Sequence, residues 1–138
     1  MDVIRFRVYG IPQTKGSTKA FNVKGRRFPV VTNDNTKNAR WAATVSGEAQ
    51  RARVSSGLSA PVVGAVWLML HFHVRKPKSL PKRIMHATKK PDLDKMIRSV
   101  KDALKGVLYL DDAQVVDLSA QKRYSDSPGV EITFRELP

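Results

Sequence analysis

Leu93, Met96, Ile97, Val100, Leu104 and Val107 recur at helical period, so the segment after Pro91 is a helix with one apolar stripe. It is bracketed by strand-like runs. Upstream, "PVVGAVWLMLHFHV" (61–74) is rich in Val, Trp, Leu and Phe and reads as a buried strand. Downstream, "AQVVDLSAQKRYS" (113–125) and "GVEITFREL" (129–137) read as two strands joined by the turn signal "DSPG". A helix with a single apolar stripe between strands has to lie on the sheet those strands make. The expected class is therefore α/β of the α+β type, a mixed sheet with helices packed on it.

The rest of the chain fits the same plan. Residues 3–10 alternate Ile4, Phe6 and Val8 with Arg5 and Arg7, the period of a half-buried strand. Residues 21–32 read as a short hairpin or irregular loop turning at Lys24-Gly25, with Arg26 and Arg27 at its tip. A second helix is expected from an Asn33 or Asp34 cap through Trp41, Val45, Ala49 and Ala52, ending at Gly57. Residues 75–91 carry three prolines and seven bases and read as a mobile loop. There is no repeat and no boundary, and 138 residues suit one domain, 1–138.

The absence of cysteine excludes disulfides and thiolate chemistry. The longest apolar run, "APVVGAVWLMLHF", is too short to cross a bilayer, and the first ten residues are not those of a signal peptide. A net charge of +13 points to a polyanionic partner. The bases are spread over loops and do not line one amphipathic helix, which favours nucleic acid over a membrane surface. Against this background one window is acidic. From Asp92 to Asp112 there are five acids (Asp92, Asp94, Asp102, Asp111, Asp112) and four bases, while the remainder carries 21 bases and seven acids.

Converging carboxylates repel unless a hard divalent cation neutralises them, and Mg²⁺ needs few when substrate phosphates supply further oxygens. On a basic surface this equipment suits phosphodiester hydrolysis. Asp92 and Asp94 lie at the start of the helix and Asp111-Asp112 beyond its far end, so the pairs meet only if the connection after Gly106 doubles back. Each aspartate also has an ordinary use: Asp92 or Asp94 as a helix cap, Asp111-Asp112 as a turn pair, Asp94, Arg98 and Asp102 as a salt-bridge ladder. His71 and His73 alternate on one strand face and, with His86, offer no zinc spacing, so a structural or surface role is expected.

The segment "DLDKMIRSVKDALKGVLYLDDAQVVDL" closely resembles the signature of the RusA family of Holliday junction resolvases: Asp92-Leu93-Asp94, a base at Arg98, Asp102-Ala103-Leu104, then Asp111-Asp112-Ala113-Gln114-Val115. The likeness is strong over about 30 of the 138 residues; "PQTKGSTKAF" is weakly like the N-terminal loop of phage members. It implies a homodimer in the cytoplasm of a bacterial or phage-infected cell that nicks four-way DNA symmetrically, in recombination and repair, using Mg²⁺ or Mn²⁺. It places the essential carboxylates on Asp92, Asp94 and Asp112, with Asp111 accessory at the metal and Arg98 where the family has a catalytic lysine. Two positions depart from the pattern: Lys95 stands for the usual Asn, and Arg98 for that Lys. A guanidinium stays charged, so Arg98 can hold a phosphate but cannot give up a proton. The electrostatic role is expected; a proton-donor role would fall to Lys95.

Candidate DNA contacts are Lys15, Lys19, Arg26, Arg27, Arg75, Lys76, Lys78, Lys82, Arg83, Lys89, Lys90 and Lys95, any of which can equally be solvated surface. Other readings compatible with the sequence are a non-catalytic DNA-binding module, a less selective flap or branched-DNA nuclease, and a basic RNA-binding protein. The last lacks an evident base-stacking platform.

Overall fold

In the computed structural model, residues 3–16, 19–21, 30–32 and 36–138 are described, and they build on one central strand, β4 (Val66–Val74). Along β4, Val66, Leu68, Leu70, Phe72 and Val74 are buried, while Trp67, Met69, His71 and His73 on the other face are only partly covered. That alternation is the mark of a sheet covered by helices on one side. The remaining elements are β1 (Ile4–Tyr9), β2 (Lys19–Phe21), β3 (Val30–Thr32), α1 (Thr36–Ser55), α2 (Leu93–Leu104), β5 (Val115–Tyr124) and β6 (Gly129–Glu136). The main sheet has the order β1-β6-β4-β5; β6 is antiparallel to both its neighbours and β5 is parallel to β4. The expected mixed sheet and α+β class are present.

The parallel pair requires a crossover, and α2 supplies it. Its Met96, Val100 and Leu104 are fully buried, as the stripe predicts. α1 packs beside α2 and against β1 through Trp41, Val45 and Ala49. Side chains of α1 also satisfy carbonyls at and beyond the end of α2: Ser46 Oγ donates to Ala103 O (2.7 Å) and an Arg53 nitrogen to Val107 O (2.8 Å). α1 ends in a left-handed glycine turn, with Gly57 N donating to Val54 O and Leu58 N to Arg53 O. Its expected Asn33 or Asp34 cap lies outside the described residues.

One expected boundary is corrected, and the structure adds detail the sequence did not give. The strand expected over 61–74 begins only at Val66. Residues 62–65 peel away to cover the far end of α2: Val62 N donates to Leu108 O and Gly64 N to a Glu136 carboxylate oxygen. The two final strands, though joined by a turn, are not neighbours. Ser125 N donates to Val74 O as the chain crosses the end of β4, and β6 then runs back between β4 and β1. Gly129 makes that entry possible, since a Cβ there would sit 2.1 Å from Val8 O. Residues 75–91 form a loop, as expected, with turns of its own. Leu80 N donates to Pro77 O, Ile84 N to Pro81 O, and Ala87 is buried.

β2 and β3 pair antiparallel with Lys19 opposite Thr32 and Phe21 opposite Val30, in keeping with the expected hairpin. Its turn, with Arg26 and Arg27, lies outside the described residues.

Candidate active site

At the N-terminus of α2, Asp92 adopts the extended conformation of a cap residue, and its carbonyl accepts from Met96 N at 3.1 Å. Its side chain makes no capping hydrogen bond. It pairs with Lys95, whose Nζ is 3.6 Å from Asp92 Oδ2 across one helical turn. Asp94 is exposed in the first turn and Arg98 is exposed one turn further on. The helix N-terminus favours negative charge on both carboxylates. The approach to this end is fixed from β5: Lys122 Nζ donates to Lys89 O and Pro91 O, both at 2.8 Å. Nothing in the sequence singles out Lys122, because its role depends on a parallel pairing the sequence does not display.

Beyond the other end of α2, Asp111 performs an ordinary task. It caps the short 3₁₀ turn Asp112–Gln114, its Oδ1 accepting from Ala113 N at 3.0 Å. Gln114 closes the box. Its Oε1 accepts from the Leu110 and Asp111 amides at 2.8 Å, and its Nε2 donates to Val62 O (2.9 Å) and Gly64 O (3.0 Å). Asp112 is left over. It is partly buried, and its Oδ1 is buried with no hydrogen-bond partner among the described residues. Beside it lies Tyr109, fully buried, whose hydroxyl donates to Lys101 O at 3.1 Å. Burial, and then the nearby Asp112 and Asp102 carboxylates, hold the Tyr109 phenol protonated well above its ordinary range. Asp102 belongs to an ion pair with Lys15, whose backbone N donates to Lys95 O. Lys15, expected at DNA, thus binds the 11–16 segment to α2 within the chain.

The two acidic pairs stand apart. α2 has 12 residues, a length of about 18 Å. Lys122 near the end of β5 marks the Asp92 end, whereas Asp112 immediately precedes β5. The connection after Gly106 does not double back; it enters β5 with Val115 beside Val66, the first residue of β4. Among the described residues no three His, Asp or Glu side chains lie close enough together to hold a metal ion. Each end alone offers two carboxylates. The buried, unpartnered Asp112 Oδ1 and the uncapped Asp92 side chain suit a hard cation that keeps most of its waters.

Of the other candidate DNA contacts, Arg75, Lys78, Lys82, Arg83, Lys89, Lys90 and Lys95 are exposed, and Lys76 lies 5.9 Å from the centre of the Tyr124 ring. Lys19 is placed in β2 by its backbone. The histidines of β4 bond to neighbouring strands. His71 Nε2 is 2.9 Å from Gln121 Nε2, and His73 Nε2 is 2.9 Å from Glu131, which Arg7 also reaches at 3.3 Å. The hydrogen bond from His73 is the main cause holding the Glu131 carboxyl below its usual range.

A family model described as endodeoxyribonuclease RusA matches residues 10–135. The chain is also 33% identical over 143 aligned residues to the uncharacterized protein YqaN of Bacillus subtilis (strain 168), an alignment that covers 99% of each.

Proposed function

Because the chain belongs to the RusA family of endodeoxyribonucleases, we propose that it resolves four-way DNA junctions by paired symmetric nicks, with Mg²⁺ or Mn²⁺ held by Asp92, Asp94 and Asp112. One observation carries the reading. Of the ordinary duties open to the aspartates of this window, capping falls to Asp111 and a close ion pair to Asp102 with Lys15; Asp92 makes no cap and meets Lys95 only at 3.6 Å, and Asp112 keeps a buried oxygen with no hydrogen-bond partner among the described residues. A bound divalent ion would supply an activated water and charge stabilisation at the departing oxygen.

This chain's own residues do the rest. Asp92 and Asp94 present carboxylates at a helix N-terminus. Arg98, one turn along the same helix, grips the scissile phosphate through a planar guanidinium that can bond two of its oxygens. Lys122 fixes the backbone that leads into Asp92. Exposed bases of 75–90 take up neighbouring phosphates, so affinity falls steeply with salt.

The separation of the acidic pairs favours a homodimer in which Asp92 and Asp94 of one copy meet Asp112 of the partner subunit. Two such sites related by a two-fold axis match the near-two-fold symmetry of a four-way junction. β5 supports the dimer further: it is a ten-residue edge strand on which Val116 is 63% and Leu118 40% exposed.

The test is cleavage of a labelled four-way junction beside linear duplex, in Mg²⁺ or EDTA, by wild type and Asp92→Asn. Paired nicks on the junction alone, lost in EDTA and in the mutant, are expected. Tight junction binding without cutting in any divalent metal would make the protein a binding module instead.

A further inference from the structure

Next to Asp92 lies a surface that is apolar within a basic rim. A groove of about 290 Å³ opens between the 11–13 segment, the end of β4 and the crossing from β5 to β6. Its walls are Ile11, Pro12, Val74, Pro91 and Pro128, with Gln13 and Arg75 as the polar residues. It lies beyond the carboxyl ends of β4 and β5, where open α/β sheets commonly take their ligands.

We propose that this groove receives one nucleobase, unstacked from the branch point of the DNA that lies across Asp92 and Asp94. The inference rests on the nuclease reading above and adds a base-binding subsite to it. Three observations select this occupant. Pro91 is both a wall of the groove and the residue before Asp92, so a phosphate at Asp92 sets its own base within reach. The rim is cationic: Arg75 lines it, and the exposed Lys89 and Lys90 lead into Pro91, so an entering chain must be polyanionic while the part that enters is apolar and flat. The volume, just under the range of drug-sized ligand pockets, suits a single ring system rather than a base pair.

The chemistry of the walls defines the contact. Proline rings carry no N–H and cannot read a base edge, so Pro12, Pro91 and Pro128 offer faces against which any base can lie. Arg75 adds a guanidinium plane, a partner on which unstacked bases rest in other nucleic-acid sites. Bases at a branch point lack a continuous stack on one side, so displacing one costs less there than inside a duplex. The groove thus favours junctions over linear DNA without requiring a particular sequence.

The experiment places 2-aminopurine at the branch point of a four-way junction and at the same position of a linear duplex. Fluorescence is read at saturating protein in EDTA, and affinity by gel shift, for wild type, Ile11→Trp and Val54→Trp. Ile11 is 66% exposed, so tryptophan there fills the groove without entering the core; Val54, 60% exposed on the last turn of α1 and outside both the groove and the acidic pairs, is the control. The expected result is a several-fold rise on the junction only, kept by Val54→Trp and lost by Ile11→Trp, with junction affinity down about tenfold in the latter. Arg75→Ala should halve the rise or more. A saturated wild-type complex with no rise, or an undiminished rise in Ile11→Trp, overturns the subsite while leaving the nuclease reading intact. A protein that does not bind the junction at all overturns both.

Discussion

The two ends of α2 each carry a pair of aspartates, and they are built on opposite plans. Beyond the C-terminal end, the 3₁₀ turn is closed by its own side chains: Asp111 caps it and Gln114 ties four backbone groups together. Asp112 is thereby held with a buried oxygen unmatched among the described residues. At the N-terminal end no side-chain cap exists, and order comes from a distant lysine gripping two carbonyls. One end is rigid because of what is next to it in sequence, the other because of what is next to it in the sheet. Rigidity at a carboxylate can thus be local or borrowed, and the two kinds fail differently.

The sharpest way to break the comparison is to remove one carboxylate at each end. Asp92→Asn and Asp112→Asn should each lower junction cleavage at least about 100-fold with junction binding preserved. If Asp112→Asn cuts normally, the N-terminal pair works alone. Mixing the two inactive proteins refines this. When each site draws on both copies, a heterodimer regains one intact site, and about a quarter of the nicking activity should return. When each site lies within one chain, none returns.

Gln114→Ala tests the locally built end through stability. Four hydrogen bonds are lost, so unfolding should be easier by ~2–3 kcal/mol, a fall of roughly 5–10 °C in the thermal midpoint. Lys122→Ala tests the borrowed end. It should cost only about 1 kcal/mol of stability in urea unfolding, yet slow cleavage about tenfold, because the segment before Asp92 loses its tether. An equal loss of stability and no change in rate would show that Lys122 is ordinary scaffold.

The smallest effect lies at neither end. The Glu131 carboxyl is held low mainly by His73, so its contribution is present above the ordinary value of 4.5 and is lost as pH falls through the lowered one. The Glu131 side chain is 40% exposed and so screened by solvent, and Glu131→Gln should flatten the acid limb of the stability–pH curve by only ~0.5 kcal/mol and leave cleavage unchanged.

Much of this was readable along the chain. The stripe Leu93, Met96, Val100, Leu104 predicts α2 because burial on one face imposes a period of 3.6, and Gly57 predicts the end of α1 because a left-handed residue is required there. The order of strands was not readable. Val130, Ile132 and Phe134 show that β6 has a buried face, but not that its edges meet β1 and β4, since pairing partners leave no local trace. The same blindness hides Lys122, a solvent-like lysine until β5 lies parallel to β4. The acidic motifs stand out from composition and spacing, whereas their distance apart depends on how residues 105–114 turn, which Gln114 governs through bonds to Val62 and Gly64 some 50 positions earlier.

The strand order has a consequence for how the protein is made. β6 leaves the ribosome after every other described strand, yet it is the sole described link between β1 and the rest of the main sheet. A nascent chain that has already produced every aspartate of the acidic window still holds β1 without a partner and β4 with one edge bare. The main sheet therefore closes only when β6 slides into the gap that β1 and β4 have left for it.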